Sequence, residues 1–359
     1  MIEKSRSEPE LDLGEADDAS PAAAKQAGMD DTPIAPGALA KHVRILGRGP
    51  GRSRNLEQHE AREAMTAILD GSADPVAVGA LLMLMRYRAE NAAEIAGFVE
   101  AMRDRIPHWR ALPVTLDWPS YASGRSRGLP LFLLSAKLLA QAGEKVLVHG
   151  WNSNSNPFAD VRSHVDEAGI PLATTADEAA NALGSHGIAY APLECIEPEF
   201  LRVLKLRDVL GLRSPMNTAC RAMNPGGAAV SVQGVFHPPY RELQQDAAAL
   251  LGEHTSLVIK GGGGEFERHP SKAIAVYGLL NGTVIDEVAQ PFLDETRRLA
   301  DAAPVAGDLG HLWRGERTDD FAEATVIGTA ALALHAAGCA TDDVAARTLA
   351  SKLWAQRLG

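Results

Sequence analysis

The stretch PVTLDWPSYASGRSRGLPLFLLSAKLLAQAGEKVLVHG, residues 113–150, decides the fold. VTLDWP is a short, bounded apolar run and predicts a strand. LPLFLLSAKLLAQAG has helical length and stops at Gly143, and EKVLVHG reads as a second strand. Strand, helix and strand in immediate succession make a βαβ unit, because two parallel strands need a crossover of this length. Between the first strand and the helix lies YASGRSRG, residues 121–128, beyond a strand's carboxyl end where open α/β sheets hold ligands. A phosphate loop there is normally rich in glycine, so that backbone N–H groups can approach the anion. Here two of the eight residues are glycine and two are arginine.

Downstream the same alternation continues. FADVRSHVDEAG and DEAANALG predict helices, and GIAYAPL a strand. AAVSVQGV, TSLVIKGGGG, KAIAVYGLL and GTVIDEVAQ predict further strands, before terminal helices in EATVIGTAALALHAAG and DDVAARTLASKLWAQRL. Upstream the period is helical. Asn55 reads as a cap for a helix whose apolar face is Ala61, Ala64, Met65, Ile68 and Leu69, ending at Gly71. Asp74-Pro75 opens a second helix and Asn91 a third. The expected fold class is α/β, a small N-terminal helical domain packed on a larger α/β domain with a mixed central sheet. The expected boundaries are 1–38, 39–110 and 111–359. The small bundle must bury its apolar face on the rest of the chain or on another subunit.

Residues 1–38 read as a disordered tail, because they lack periodic apolar positions and cannot repay the entropy of ordering. Nine acids against Lys4, Arg6 and Lys25 leave residues 1–36 at −6, and this accounts for much of the chain's net charge of −11. The next segment reverses sign. Residues 41–54 carry Lys41, Arg44, Arg48, Arg52 and Arg54 with no acid, and Gly and Pro in ILGRGPGRSRN are expected to break a regular helix and leave the arginines on a flexible surface. The three cysteines are far apart and the 11 histidines form no paired motif, so neither a disulfide framework nor a dedicated metal site is expected. No apolar run approaches the roughly 20 residues of a membrane span, and no secretory signal is recognisable, so a cytoplasmic location is expected.

LDGSADPVAVGALLMLMR and ENAAEIAGFVEAM resemble the N-terminal domain of anthranilate phosphoribosyltransferases and pyrimidine nucleoside phosphorylases. Val148-His149-Gly150 stands where those transferases have Lys-His-Gly-Asn-Arg. Arg207 to Ser214 resembles their Arg-x-x-Leu-Gly-x-Arg-Thr block, and Asn224-Pro225 the end of an Asn-Pro run. The resemblance covers about residues 42–355. Four ordered blocks, LGRGPGRSRNLEQHEAR, PSYASGRSRGLPLFLLSAKLLA, VFHPPYREL and KGGGGEFERHP, are similar to the YbiB group, anthranilate-phosphoribosyltransferase-like proteins associated with nucleic-acid binding.

The departures from the transferase pattern shape the expected function. Ser120-Tyr121-Ala-Ser-Gly124-Arg125-Ser-Arg127 occupies the place of the Gly-Thr-Gly-Gly-Asp pyrophosphate loop. Val148 replaces a lysine, Trp151-Asn152 replaces Asn-Arg, and Phe266 stands where the resemblance calls for a magnesium-binding aspartate. Phosphoribosyl transfer depends on metal and cations to stabilise the departing pyrophosphate, so the expectation is a protein that has lost the reaction and has neither catalytic residue nor cofactor. In its place is expected a nucleic-acid-binding protein that grips phosphates with Arg44, Arg48, Arg52, Arg54, Arg125, Arg127, Arg221 and Lys260. Arginine contacts to phosphate carry little sequence preference and are indifferent to DNA versus RNA. The alternative is an active transferase using magnesium and phosphoribosyl pyrophosphate, with an aromatic or nucleobase-like acceptor. Ser120, Gly124, His149, Gly150, Arg207 and Asn224 would bind its substrates, Arg207 at the position that contacts anthranilate in the family. The resemblance also implies a homodimer formed through the helical domain.

Overall fold

In the computed structural model, the described residues are 37–49, 51–121, 128–151, 160–295, 297 and 305–358. Residues 1–36 of the expected tail, Gly124, Arg125 and Arg127 lie outside them. Helices α1 (Ala40–Gly47), α2 (Gln58–Leu69), α3 (Pro75–Arg88), α4 (Ala92–Asp104) and the one-turn α5 (Pro107–Arg110) precede the first strand. Then follow β1 (Leu116–Ser120), α6 (Phe132–Gln141), β2 (Val146–Gly150), α7 (Ala176–His186), β3 (Ile188–Pro192), α8 (Leu193–Ile196), α9 (Pro198–Leu210) and α10 (Met216–Ala222). The chain continues through β4 (Val230–Val235), α11 (Tyr240–Leu250), β5 (Thr255–Lys260), β6 (Ile274–Leu280) and β7 (Thr283–Ala289) to α12 (Asp308–Trp313), α13 (Asp320–Ala336) and α14 (Asp343–Gln356).

The sheet is mixed, in the order β3-β2-β1-β4-β5-β6-β7. The first five strands in that order run parallel, and β6 and β7 return antiparallel around the Asn281-Gly282 turn, both residues at positive φ. Alternation along β1 sorts the two cores. Leu116 and Trp118 enter an apolar cluster with α6, α13 and α14. The opposite face, which carries Leu147, Ala189 and Ala191, shares a cluster with α2, α3, α4, α9 and α10. The helical bundle therefore buries its apolar face on its own chain. Within the bundle α2 and α4 approach closely at Gly97, where a Cβ would fall 2.2 Å from the Gln58 carbonyl.

Three local expectations are corrected. Arg44 lies on a regular helix, α1, because the helix-breaking glycines and proline begin only at its end. The cap of α2 is Glu57 and not Asn55. Glu57 and Glu60 form a reciprocal capping box, while Asn55 donates to Ala89 O at 3.1 Å and to Glu94 Oε2 at 3.0 Å. The described part of 158–169 forms only a 3-10 turn at Arg162–His164 rather than a helix.

Candidate functional site

The carboxyl ends of the parallel strands define one edge of the sheet. Ser120 of β1 pairs in register with Gly150 of β2, and Val235 of β4 with Lys260 of β5. Beside Val235 an open cleft of 440 Å³ is lined by Arg86 of α3, by Arg207, Arg213, Asn217 and Arg221 from α9 to α10, and by Phe236, His237 and Tyr240 at the start of α11. Four guanidinium groups thus share one cleft, in which Glu90 and Asp208 are the acids. Burial lowers the Arg213 pKa, and its neighbours Arg207 and Arg86 lower it further. Concentrated like charge of this kind is relieved by an anionic ligand. Arg207 Nη1 is buried without a hydrogen-bond partner among the described residues, and its Nε stands 3.7 Å from Asp208.

The sequence-derived residues divide. Arg221 lines the cleft but is only 7% exposed. It donates to Asn217 Oδ1 at 3.0 Å and to the Tyr121 carbonyl at 3.1 Å, so it braces the cleft floor more than it reaches out. Lys260 is exposed at the end of β5, one strand from the cleft wall. Arg44, Arg48 and Arg52 are exposed. Arg54 is committed elsewhere: its Nη1 and Nη2 reach Glu60 at 2.6 and 2.7 Å, a bidentate pair that holds the Glu60 pKa down at about 2. Of the expected phosphate ligands in the 44–54 run, Arg54 is thus the one with a bidentate carboxylate partner among the described residues.

This pair carries a pH prediction. Because the Glu60 pKa is depressed on folding, its contribution is present above the unfolded carboxyl range near 4.5 and lost as pH falls toward 2. Arg54 is half exposed, so screening limits the effect to about 0.5–1 kcal/mol. Urea denaturation of Glu60→Gln against the parent should show that difference at pH 7 and a markedly smaller one at pH 2.5, close to the folded pKa; an equal difference at both pH values contradicts the pairing.

The arginine run adjoins the cleft through α3. Arg88 donates to Ser53 Oγ at 2.7 Å and to Asn55 Oδ1 at 3.3 Å, and Arg86, two residues earlier, reaches into the cleft and donates to Tyr240 Oη at 2.7 Å. Tyr240 in turn donates to Glu90 Oε1 at 3.1 Å.

Four of the residues expected to bind a transferase substrate occupy structural positions. His149 is fully buried, its Nδ1 2.8 Å from Tyr121 Oη and its Nε2 3.0 Å from Asp117 Oδ1, the latter out of line for a hydrogen bond. Ser231 donates to the other Asp117 oxygen at 2.9 Å, so the histidine belongs to a buried polar network under the strand ends. Gly150 is required by close approach, since a Cβ would lie 2.0 Å from the Ser120 carbonyl. Asn224, left-handed at φ 44°, closes the 224–228 turn by giving to and taking from Ala228 at 2.8 Å. Ser120 is buried and its Oγ donates to Glu265 Oε1 at 3.0 Å.

At the position of the expected magnesium-binding aspartate, Phe266 is fully buried and meets Trp118 edge-on at 5.6 Å. Glu265 is engaged by Ser120, and Glu267 accepts from the Phe132 N–H at 3.1 Å. Magnesium favours a cradle of carboxylate and phosphate oxygens, and an aromatic ring in the core does not fit that role. The ring of Tyr121, 1% exposed, fills the space just beyond β1. Sequence reasoning misses Arg86, Glu90, Phe236, His237 and Tyr240 as individual site residues. For Phe236, His237 and Tyr240 the aromatic and proline cluster in VFHPPYREL is the visible signal.

The helical bundle packs on a mixed sheet, with a cationic cleft where bundle, strand ends and α9–α10 meet. Residues 43–106 match the family described as Glycosyl transferase family, helical bundle domain. The anthranilate phosphoribosyltransferase of Desulforudis audaxviator is 31% identical over 314 residues, which are 83% of this chain and 88% of that protein. The crystal structure of anthranilate phosphoribosyltransferase from Thermus thermophilus has a TM-score of 0.75 at 24% identity, covering 90% of this chain and 95% of that one. The Saccharomyces cerevisiae protein in complex with PRPP and Mg has a TM-score of 0.69 at 16% identity, covering 89% and 95%. The chain belongs to the anthranilate phosphoribosyltransferase family of glycosyltransferase family 3.

Proposed function

We propose that this chain is a nucleic-acid-binding member of its family, of the YbiB type, in which the ancestral substrate cleft and the adjoining arginine run hold phosphates of a polynucleotide. The observation that carries the reading is the continuity of cations. Arg86, Arg207, Arg213 and Arg221 share the cleft, and Arg88 ties α3 to the loop that displays Arg48 and Arg52. Each phosphate neutralised along such a track releases counterions, so binding is strongly salt-dependent and weakly sequence-dependent. The packed rings of Tyr121 and Phe266 on the donor side support the same reading.

A second reading is favoured by the comparisons themselves, since the named relatives are anthranilate phosphoribosyltransferases. On that reading the cleft receives an anionic aromatic acceptor beside Arg207, as part of a transferase. One experiment separates the two. The protein is titrated with a short single-stranded oligonucleotide, and then incubated with phosphoribosyl pyrophosphate, magnesium and anthranilate while pyrophosphate release is followed. Binding without release supports the first reading, and release without binding overturns it in favour of the second.

The reading includes a homodimer. Val76 and Tyr87, eleven residues apart on one face of α3, are 81% and 90% exposed, and Val209 and Leu212 at the end of α9 are exposed as well. Gly79 of α3 stands near Leu210 of α9, where a Cβ would meet it at 3.6 Å. A second copy would cover this apolar surface, and a monomeric mass at micromolar concentration contradicts it. The proposed location is the cytoplasm. Among the described residues no helix is long and apolar enough to cross a membrane.

A further inference from the structure

Glu90 is an anomaly in the cationic cleft. It lines the cleft, its side chain is 3% exposed, and while Oε1 accepts from Tyr240, Oε2 has no hydrogen-bond partner among the described residues. Arg86 Nη1 stands 4.0 Å away, too far to satisfy it. A buried carboxyl oxygen left unmatched is costly, and a ligand that donates to it recovers that cost. Two features of the same wall describe the donor. Phe236 lines the cleft and is about half exposed, with His237 perpendicular to it at 4.9 Å, which makes it a ring on which a base can stack. Arg86, Arg207 and Arg213 supply the partner for phosphate. The guanidinium of Arg86, itself well exposed, is the adjustable part of the wall between phosphate and Glu90.

We infer that the cleft seats one unstacked base of a single strand against Phe236, and that Glu90 selects bases bearing an exocyclic amino group by accepting its N–H at Oε2. This rests on the polynucleotide reading and deepens it: the arginines hold any strand, and Glu90 adds a local preference at one nucleotide. An amino-bearing base fills the unmatched acceptor, whereas a ring without a donor leaves it buried and unpaired. Discrimination is strongest where the site's own polar group is stranded by the wrong ligand.

The test compares an oligo(dA) with the same oligomer carrying unsubstituted purine in place of adenine, which keeps the ring, the phosphates and the stacking face and removes only the amino group. The expected result is tighter binding of the adenine oligomer by on the order of tenfold. In Glu90→Met, which keeps the length of the side chain and removes the acceptor, that preference falls below about threefold, and circular dichroism checks that the variant is folded. Phe236→Ala weakens both oligomers equally. Equal affinity of the two oligomers for the unmodified protein overturns the inference and leaves the polynucleotide reading standing. Failure of both oligomers to bind overturns that reading and this one together. If Glu90→Met does not fold, the adenine and purine comparison on the unmodified protein decides alone.

Discussion

Replacing Arg207 and Arg213 together by alanine is expected to weaken binding of a short single-stranded oligonucleotide by about a hundredfold. Each is a guanidinium lining the cleft, and a hydrogen bond to a charged group contributes roughly 1.5–3 kcal/mol. Two such contacts at the lower end amount to about 3 kcal/mol, with tenfold for each 1.4 kcal/mol. The fold should survive, because Arg213 is held at a cost: burial and two neighbouring guanidinium groups all disfavour its charge. Circular dichroism checks that point, and fluorescence anisotropy reads the affinity. Arg314→Ala, at an exposed arginine outside the cleft lining, serves as the control and should change affinity less than about twofold. A double variant within about threefold of the parent removes the cleft from the account.

The second large effect concerns stability. Phe266→Asp restores the residue type that the family resemblance calls for, and is expected to destabilise the fold severely instead of creating a magnesium site. Truncating a buried phenylalanine costs about 3–5 kcal/mol, and an aspartate there sets a carboxyl against Trp118 in an apolar core. The melting temperature should drop by about 5 °C or more, at roughly 1.3 °C per kcal/mol for a chain of this length, and magnesium should not restore it. Phe266→Leu, which keeps most of the buried volume, should cost far less. A Phe266→Asp protein that melts normally and is further stabilised by magnesium would show that the metal position persists.

Much of the architecture is legible because its signals are local. The 113–150 stretch specifies strand, helix and strand by run length and by its glycine stop, and both strands and helix stand where that reading puts them. The antiparallel return of β6 and β7 is signalled by Asn281-Gly282. Helices α9, α10 and α11 escape the sequence reading. In α9 the buried positions are Phe200, Val203 and Leu204, while Val209 is exposed, and this blurs the 3.6-residue pattern. The capping error at Asn55 has a tertiary cause. Glu94, buried in α4, takes Asn55 and the Leu56 N–H at 2.8 Å, leaving the cap to Glu57.

The site is less legible because it is assembled from elements far apart in the chain. Arg86, Arg213 and Tyr240 converge only through packing of α3, the α9–α10 connection and α11. The residue types give no warning that Arg54 is consumed by Glu60, or that Arg221 braces the Tyr121 carbonyl. Arg44, Arg48 and Arg52 are exposed as expected, and sequence alone does not show that their loop is tied to the cleft through Arg88.

The measurement that tests the central claim most directly is the salt dependence of oligonucleotide binding. If Arg44, Arg48, Arg52, Arg86, Arg207 and Arg213 each neutralise a phosphate, log K against log salt should have a slope of about −4 for a single strand, so that affinity falls by about 300-fold between about 50 and 200 mM. Replacing Arg44, Arg48 and Arg52 by alanine should bring the slope to about −2. Binding that ignores salt, or a slope that the triple replacement leaves unchanged, would contradict a continuous phosphate track between the arginine run and the cleft.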